Sequence, residues 1–337
     1  MNVLSLFDGM SCGQLALERA GIPYQSYFAC EVDKHAINAT NRYFPATKHI
    51  GDVRFLEVVG DGGVDLLIGG SPCQNFSFSG KGAGMTTTTK EEITTLKRYL
   101  ELKSEGFEFT GQSYLFWEYV RILKDIQRSN PDIKFLLENV VMPKKWEQVI
   151  TNTLGVEPIL IDSALVSAQQ RKRLYWTNIE GVTQPKDKGV KLQDILDTDK
   201  DDNPAAIRGR YVNKATIVGR RINKDGHRED YNKKIPIVQC LEVRKTNRDK
   251  SNCITTVQKD NVLTPLPVGR HIDVYGRDLP YRNYTLTELC RLQTVPTDYF
   301  DLNLTSESQA RKMLGNGWTV DVIAHILSFL PCRCTGL

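Results

Sequence analysis

Residues 64–80 read Val64-Asp65-Leu66-Leu67-Ile68-Gly69-Gly70-Ser71-Pro72-Cys73-Gln74-Asn75-Phe76-Ser77-Phe78-Ser79-Gly80. The apolar run at 64–68, bounded by glycines, has the length of a buried strand and delivers its carboxyl end into a loop. Pro72 fixes its own φ and turns Ser71 away from helical geometry, so Cys73 is expected just beyond the strand on a stiffened backbone. Open α/β sheets place their ligands outside the carboxyl ends of the strands. A free cysteine is most often a small buried hydrophobe. Here Gly80, Gly82 and Gly84, with Ser77, Ser79 and Lys81 between them, follow at once, and a core residue does not need a polar, glycine-rich neighbour. An unperturbed thiol of pKa about 8.5 is mostly protonated near neutrality, so a nucleophilic Cys73 requires activation by its surroundings.

Working outward, the chain alternates strands and helices. Residues 3–6 read as a first strand, followed by the turn Phe7-Asp8-Gly9-Met10-Ser11-Cys12-Gly13 and a helix over 14–20. Such a strand, turn and helix start offers backbone N–H groups to an anionic or carboxylate-bearing ligand. The turn is not G-x-G-x-x-G, which favours a nucleoside ligand other than a nicotinamide dinucleotide. A second strand at 27–30 ends at Glu31-Val32, and doubly wound folds hold ribose hydroxyls with an acid at this place. Gly51-Asp52-Val53 ends a third strand. Apolar residues at 115, 116, 119, 120, 123 and 126 predict a helix over 113–127. Residues 135–137 form the next buried strand, ending in Glu138-Asn139-Val140. A helix at 146–154, a strand at 159–161, and Gln169-Gln170-Arg171-Lys172-Arg173 before a strand at 174–176 complete this part. The polar stretch 81–112 is too long for a plain connection and reads as a lid or active-site loop.

From about Thr183 the pattern gives way to basic, irregular sequence. Residues 181–280 hold 20 Lys and Arg against 14 Asp and Glu, although the whole chain of 337 residues carries only +4. A polyanion partner accounts for such a local excess, as does a solvated charged face. Short β-like runs occur at 235–238 and 254–257. Helical pattern returns at Thr287, read as an N-cap, and after Gly315-Asn316-Gly317-Trp318 a final amphipathic helix is expected.

Composition sets the outer limits. Apolar residues make up 40% and charged residues 25%, as in globular domains, and no run approaches the roughly 18 apolar residues of a membrane span. No secretory signal follows Met1, so a cytoplasmic location without membrane association is expected. The eight cysteines show no C-x-x-C pair, and neither a metal site nor a disulfide framework is expected; Cys332 and Cys334 read as tail thiols.

Asp8, Glu31, Asp52, Cys73 and Glu138, if aligned along one sheet edge, make a nucleoside pocket beside a thiol and a carboxyl. A nucleophilic cysteine paired with an acid suits attack on an electron-poor ring carbon such as C6 of a pyrimidine, with the acid at N3. Arg171 and Arg173 read either as ligands for the base carbonyl or a phosphate, or as a charged surface turn.

In order, Phe7-Asp8-Gly9 with Gly13, Glu31, Gly51-Asp52-Val53, Gly70-Ser71-Pro72-Cys73-Gln74, Glu138-Asn139-Val140, Gln169-x-Arg171-x-Arg173, Leu286-Thr287 through Arg291-Leu292-Gln293 to Pro296, and Gly315-Asn316 resemble the successive motifs of the DNA cytosine-5 methyltransferases. Residues 138–181 are also similar to the animal de novo DNA methyltransferases. The resemblance implies an α/β, Rossmann-like S-adenosylmethionine-dependent methyltransferase domain with a mixed, mainly parallel sheet, over 1–182 and 281–337. It implies a small irregular target recognition domain over 183–280.

By the same likeness, S-adenosyl-L-methionine is the cofactor. Phe7, Asp8, Gly9 and Gly13 lie near its methionine part, Glu31 and Val32 at the ribose, and Asp52 and Val53 at the adenine. Pro72 and Asn316 close the pocket. Cys73 then adds to C6 of a flipped cytosine, Glu138 engages N3 and the exocyclic amine, Arg173 approaches O2 with Arg171 beside it, and Gln74, Ser77, Ser79 and Asn139 hold the substrate. The implied partner is double-stranded DNA, bound by a monomer, with a restriction endonuclease as the further partner of a restriction-modification pair. One departure is Gly111-Gln112-Ser113, where the family commonly has an Arg-Gly pair. Two alternatives remain at this level: a tRNA cytosine-5 methyltransferase, whose usual Cys-Phe-Thr signature is absent, and a catalytically inactive DNA-binding relative.

Overall fold

The computed structural model describes residues 1–57, 63–72, 91–109, 111–197, 213–243, 249–264, 271–272 and 281–331. The chain forms two compact units, the first of residues 1–162, 172–185 and 320–337, the second of 163–171 and 186–319.

The first unit begins β1 (Asn2–Leu6), α1 (Cys12–Arg19), β2 (Ser26–Cys30), α2 (Lys34–Tyr43), β3 (Lys48–Gly51), β4 (Leu66–Gly70), α3 (Leu96–Ser104) and α4 (Leu115–Ser129). It continues with β5 (Lys134–Val140), α5 (Lys144–Leu154), β6 (Ile159–Asp162) and β7 (Lys172–Thr177). The seven strands lie in the order β3-β2-β1-β4-β5-β7-β6, and β7 alone runs against its neighbours. The strand order reverses between β1 and β4, where doubly wound sheets open a crevice at their carboxyl edge. Burial dictates this arrangement. β1, β4 and β5 are nearly continuous apolar runs because helices cover both faces of a parallel sheet. On α4 the side chains of Phe116, Trp117 and Tyr119 are wholly buried, and a fully buried Phe contributes roughly 3 kcal/mol.

Two strands run farther than expected. Glu138 lies within β5, paired with Gly70 of β4 and Tyr175 of β7, and Arg173 lies within β7 rather than before it. Part of the expected loop at 81–112 is helix: Thr95 caps α3 by accepting from Arg98 N, and Tyr99 and Leu102 give it a buried face. Residues 81–90 lie outside the described residues.

The second unit has α6 (Leu192–Ile195) and an antiparallel sheet of β8 (Asn213–Arg221), β9 (Ile237–Val243), β10 (Val262–Thr264), β11 (His271–Ile272) and β12 (Arg282–Asn283), ordered β11-β9-β8-β10-β12. The region read as irregular therefore holds a regular small sheet, with Ala215, Leu241 and Val262 in its core. The expected strand at 254–257 is a turn. The Thr255 hydroxyl accepts from Val257 N at 3.1 Å and donates to Asp260 at 2.8 Å, a local bonding that competes with a ladder.

Helices α7 (Leu286–Gln293) and α8 (Glu307–Asn316) follow. The N-cap of α7 is Thr285 rather than Thr287, because only Thr285 has Glu288 three residues on to complete a capping box. The chain returns to the first unit with α9 (Val320–Leu327), packed on α1 with an Arg19–Asp321 ion pair. Among the described residues no helix is long and apolar enough to cross a membrane.

Packing divides the chain elsewhere than the expected boundaries at 182/183 and 280/281, since residues 163–171 and α7–α8 lie in the second unit. A buried polar knot is the reason. Gln169 donates to Leu292 O and to Gln293 Oε1, Gln293 donates to the carbonyls of Leu314 and Gly317, and Ser167 donates to Leu292 O. Gly315 sits against the Thr255 backbone, where an added β-carbon would lie 2.6 Å from the carbonyl carbon. Backbone cannot rotate away as a side chain would. Gly315→Ala is expected to destabilise the second unit by about 1–3 kcal/mol in urea titration; an unchanged midpoint would refute this packing.

Candidate active site

The register brings the described ends of β1 to β5 to one edge. Leu6 pairs with Cys30 on one side and Gly69 on the other, Cys30 with Gly51, and Gly70 with Glu138. The residues just after these partners, Phe7, Glu31 and Asp52, thus sit at neighbouring strand ends, with Ser71 and Glu138 next across the sheet. Four steps of about 4.8 Å make this row roughly 19 Å long.

The turn after β1 is strained. Phe7, Gly9 and Ser11 have φ of 58°, 58° and 56°, a left-handed conformation that costs a non-glycine residue about 1–3 kcal/mol. Neighbouring hydrogen bonds hold it: Asp8 N donates to Cys30 O at 3.0 Å, Ser11 N to Asp8 O at 3.1 Å, and Gly9 N to Glu31 Oε2 at 2.7 Å. Gly13 lets α1 approach the sheet, since a β-carbon there would lie 2.5 Å from both Ile68 Cδ1 and Tyr27 Oη.

Asp8 is buried, and its Oδ1 accepts from Tyr27 Oη at 2.7 Å. Its Oδ2 is buried with no hydrogen-bond partner among the described residues. Burial raises the Asp8 carboxyl from 3.8 to about 6, against the lowering effect of nearby hydroxyls. Glu31 Oε1 accepts from Val32 N and Asp33 N at 2.7 and 2.8 Å. With the bond from Gly9, three of its roughly four lone-pair positions are filled. Val32 is exposed and Val53 buried. Asp52 caps the 3-10 turn Val53–Phe55 and is gripped by the Arg54 guanidinium, which holds its carboxyl below the usual range.

At the other end of the row, Glu138 Oε1 lies 3.0 Å from Arg173 Nε. In the β5–β7 ladder Glu138 faces Tyr175 and Arg173 faces Val140, so Glu138 and Arg173 are diagonal neighbours on one face. Asn139, expected at the substrate, is buried instead. Its Nδ2 donates to Ser71 Oγ at 3.0 Å and Ser71 O at 3.2 Å, and its Oδ1 accepts from Val140 N. This makes it a positioning residue for the chain that passes through Pro72. Cys73, Gln74, Ser77 and Ser79 lie outside the described residues. Two described cysteines are unsuited to attack, because burial pushes Cys30 and Cys290 up to about 12.

Arg171 and Asn316 belong to the second unit. The Arg171 guanidinium donates to Ile254 O at 3.2 Å and Gly317 O at 2.9 Å, with longer contacts to Gly315 O. It holds the turn around Asn316, which is exposed at the end of α8. The sequence reading missed Tyr27, Arg54 and Glu118. Only Glu118 had a signal, a carboxylate flanked by apolar residues at 115–117 and 119–120 with Arg121 three residues on.

A nucleoside-sized row of acids at the switch point of a doubly wound sheet, ending in an oriented carboxylate, defines a cofactor-binding α/β enzyme. The family model described as C-5 cytosine-specific DNA methylase matches residues 1–331, and the chain belongs to that family. The type II methyltransferase M1.ScrFI of Lactococcus lactis subsp. cremoris is 25% identical, over 96% of this chain and 76% of its own length. The orphan methyltransferase M.Rho11sI of Bacillus phage rho11s is 31% identical over 42% of this chain, and the match spans only 23% of that protein. The fold is similar to the S. pombe Dnmt2 methyltransferase, with TM-score 0.63, 18% identity and 98% of each chain covered. The Entamoeba histolytica methyltransferase EhMeth gives TM-score 0.63 at 14% identity, covering 98% of this chain and 97% of that one.

Asp8 yields a sign-definite prediction. Its folded pKa is raised, so the folded chain keeps a proton that the unfolded chain releases between pH about 4 and 6; stability therefore falls as pH rises through that window. Asp8→Asn removes the effect and is expected to be more stable than the parent above pH about 6, by on the order of 3 kcal/mol, with the gap closing toward pH about 4. Ligand-free denaturation across this range measures it, and a gap independent of pH would refute the buried, poorly satisfied carboxyl.

Proposed function

We propose that the protein methylates C5 of a flipped cytosine in a specific duplex DNA sequence through a covalent bond between Cys73 and C6. The observation that carries this reading is the Glu138–Arg173 pair at the carboxyl edge, in register with Gly70, three residues before Cys73.

The residues present fit S-adenosylmethionine, the methyl donor that family membership implies. The unpartnered Asp8 Oδ2 suits a cationic ligand group, the remaining lone pair of Glu31 a ribose hydroxyl, and Asp52 with Val53 an adenine. Phe7 and Gly9 shape the turn beside them. When bound, the cofactor supplies an electrophilic methyl group for the electron-rich C5. Cys73 as thiolate adds to C6, and the displaced ring electrons accumulate at C5. Glu138 donates a proton to N3, where negative charge develops, and takes it back when the C6–S bond breaks, while Arg173 orients Glu138 and reaches the base carbonyl O2. Loss of the C5 proton to a base then lets the C6–S bond break and frees Cys73. Flipping costs a few kcal/mol, which loop residues Gln74, Ser77 and Ser79 offset by holding the base. Asn139 and Arg171 act through Ser71 and the Asn316 turn.

Duplex DNA containing 5-fluorocytosine should trap the enzyme in the presence of cofactor, since fluorine blocks the last proton removal. Trapping by Cys73→Ala would overturn the assignment, and trapping on tRNA with none on duplex DNA would replace the substrate. DNA is favoured by the family's description, by the type II relative and by the basic second unit. A restriction endonuclease partner and a monomer acting on DNA belong to this same reading.

We assign sequence choice to residues 183–280. Many basic side chains expected to bind DNA have internal roles there. Lys250 donates to the carbonyls of Ala164, Ser167 and Val190, Arg220 pairs with Glu242, Arg221 bonds Lys233 O, Arg228 pairs with Asp230, and buried Lys214 meets Gln170. Lys224, Lys233 and Lys234, at the tip of the β8–β9 hairpin beside an exposed Tyr231, are exposed and form no ion pair among the described residues. Replacing all three with alanine is expected to weaken binding to every duplex sequence and to lower the slope of log K against log salt by about 2–3. An unchanged slope would move phosphate contact elsewhere.

A further inference from the structure

The turn after β3 is held from outside its own sheet. β3 is a four-residue edge strand whose pairing with β2 is interrupted by a register shift at Ala29/Cys30, so the ladder constrains residues 52–56 only weakly. Asp52 nevertheless begins a well-defined turn. Its carbonyls explain why: Arg121 Nη2 donates to Val53 O at 3.2 Å and Leu56 O at 2.9 Å, and Lys103 Nζ donates to Arg54 O at 3.0 Å.

Both cations are anchored by one carboxylate. Glu118 of α4 has no exposed surface, yet its Oε2 accepts from Arg121 Nε at 2.7 Å and its Oε1 from Lys103 Nζ and Tyr99 Oη. Asp125 lies 3.4 Å from Arg121 Nη1 and completes the guanidinium's surroundings. A buried carboxylate is tolerated only when paired and hydrogen-bonded, and a network so fully satisfied has one low-energy arrangement. That arrangement sets the position of the three carbonyls, and with them the Asp52 carboxylate.

We infer that Glu118, acting through Arg121 and Lys103, positions the 52–56 turn so that Asp52 selects the 6-amino group of the cofactor's adenine. The inference rests on the reading of Asp52 as the adenine contact. Glu118, Arg121 and Lys103 are positioning residues with no cofactor contact of their own. Arg54 fixes the Asp52 carboxylate within the turn, and the cations that hold the turn's carbonyls place the two together.

The test is calorimetric and needs no turnover. S-adenosylhomocysteine and its purine analogue lacking the 6-amino group are titrated into the protein and into Asp52→Ala, Arg121→Lys and Lys103→Met. The parent is expected to prefer the adenine compound by roughly tenfold or more, as for one hydrogen bond to a charged group. Arg121→Lys keeps a cation for Glu118 without the Nη2 donor that reaches two carbonyls, and it should bring the ratio near one, as should Asp52→Ala, which leaves no acceptor. Lys103→Met, at a partly exposed position, serves the same purpose if Arg121→Lys lowers the melting temperature. In turnover, KM for S-adenosylmethionine should rise in Arg121→Lys and Lys103→Met with kcat at saturation unchanged. A ratio unaffected by Asp52→Ala would overturn the adenine reading of Asp52. A ratio abolished by Asp52→Ala but kept in Arg121→Lys and Lys103→Met would overturn the positioning role alone.

Discussion

Parallel pairing of β3, β2, β1, β4 and β5 is the constraint on which the first unit's chemistry depends. Strands that share direction and register bring their carboxyl ends to one edge, so the residue after each strand meets its neighbours whatever its distance in sequence. Leu6 has a partner on each flank, Cys30 and Gly69, and this puts the strained Phe7–Gly9 turn between Glu31 and the Ser71-Pro72 segment. A one-residue slip in any strand would invert its faces and take its acid out of the row. The apolar runs in β1, β4 and β5 oppose slippage, because both faces of these strands are covered.

Around that edge, charged groups are spent on backbone geometry as often as they are left for a ligand. Glu31 accepts three backbone N–H bonds, the one from Gly9 tying the β1 turn to the end of β2, and Glu118 holds two cations that hold the turn after β3. In the second unit Arg171 and Lys250 place their donors on carbonyls, and Gln293 bridges Gln169 to the end of α8. Irregular backbone is the common reason. Turns leave carbonyls and amides without ladder partners, burial makes each unsatisfied group expensive, and long cationic side chains reach several carbonyls at once. Asp8 is the exception, since its second oxygen is buried without such compensation.

Much of the architecture is legible in the sequence alone. Hydrophobic runs of strand length at 3–6, 27–30, 64–68 and 135–137, separated by helical periodicity, specify a doubly wound sheet, because a strand buried on both faces has few other ways to look. The acids at 31, 52 and 138 were marked by their position at the ends of those runs. The motif order carried the family. By contrast, the ends of β5 and β7 are not legible, since Glu138 and Arg173 are polar residues inside strands and their mutual pairing is what makes strand geometry acceptable there. The small sheet of the second unit was read as irregular because its strands are short and its core is only a few residues such as Ala215, Leu241 and Val262.

The sequence by itself determined the fold class and the row of strand-end acids, because these arise from local pattern and from period. Only the tertiary structure decided which polar groups work and which support. Arg171 and Arg173 stand two residues apart in one motif, yet one is bound to carbonyls and the other to Glu138. Lys214, Lys224 and Lys250 are alike in a charge count, but two are buried on oxygen acceptors and one is exposed at a hairpin tip. A side chain's role is set by which unpaired backbone groups the fold brings within its reach, and those are defined only when segments distant in sequence have packed.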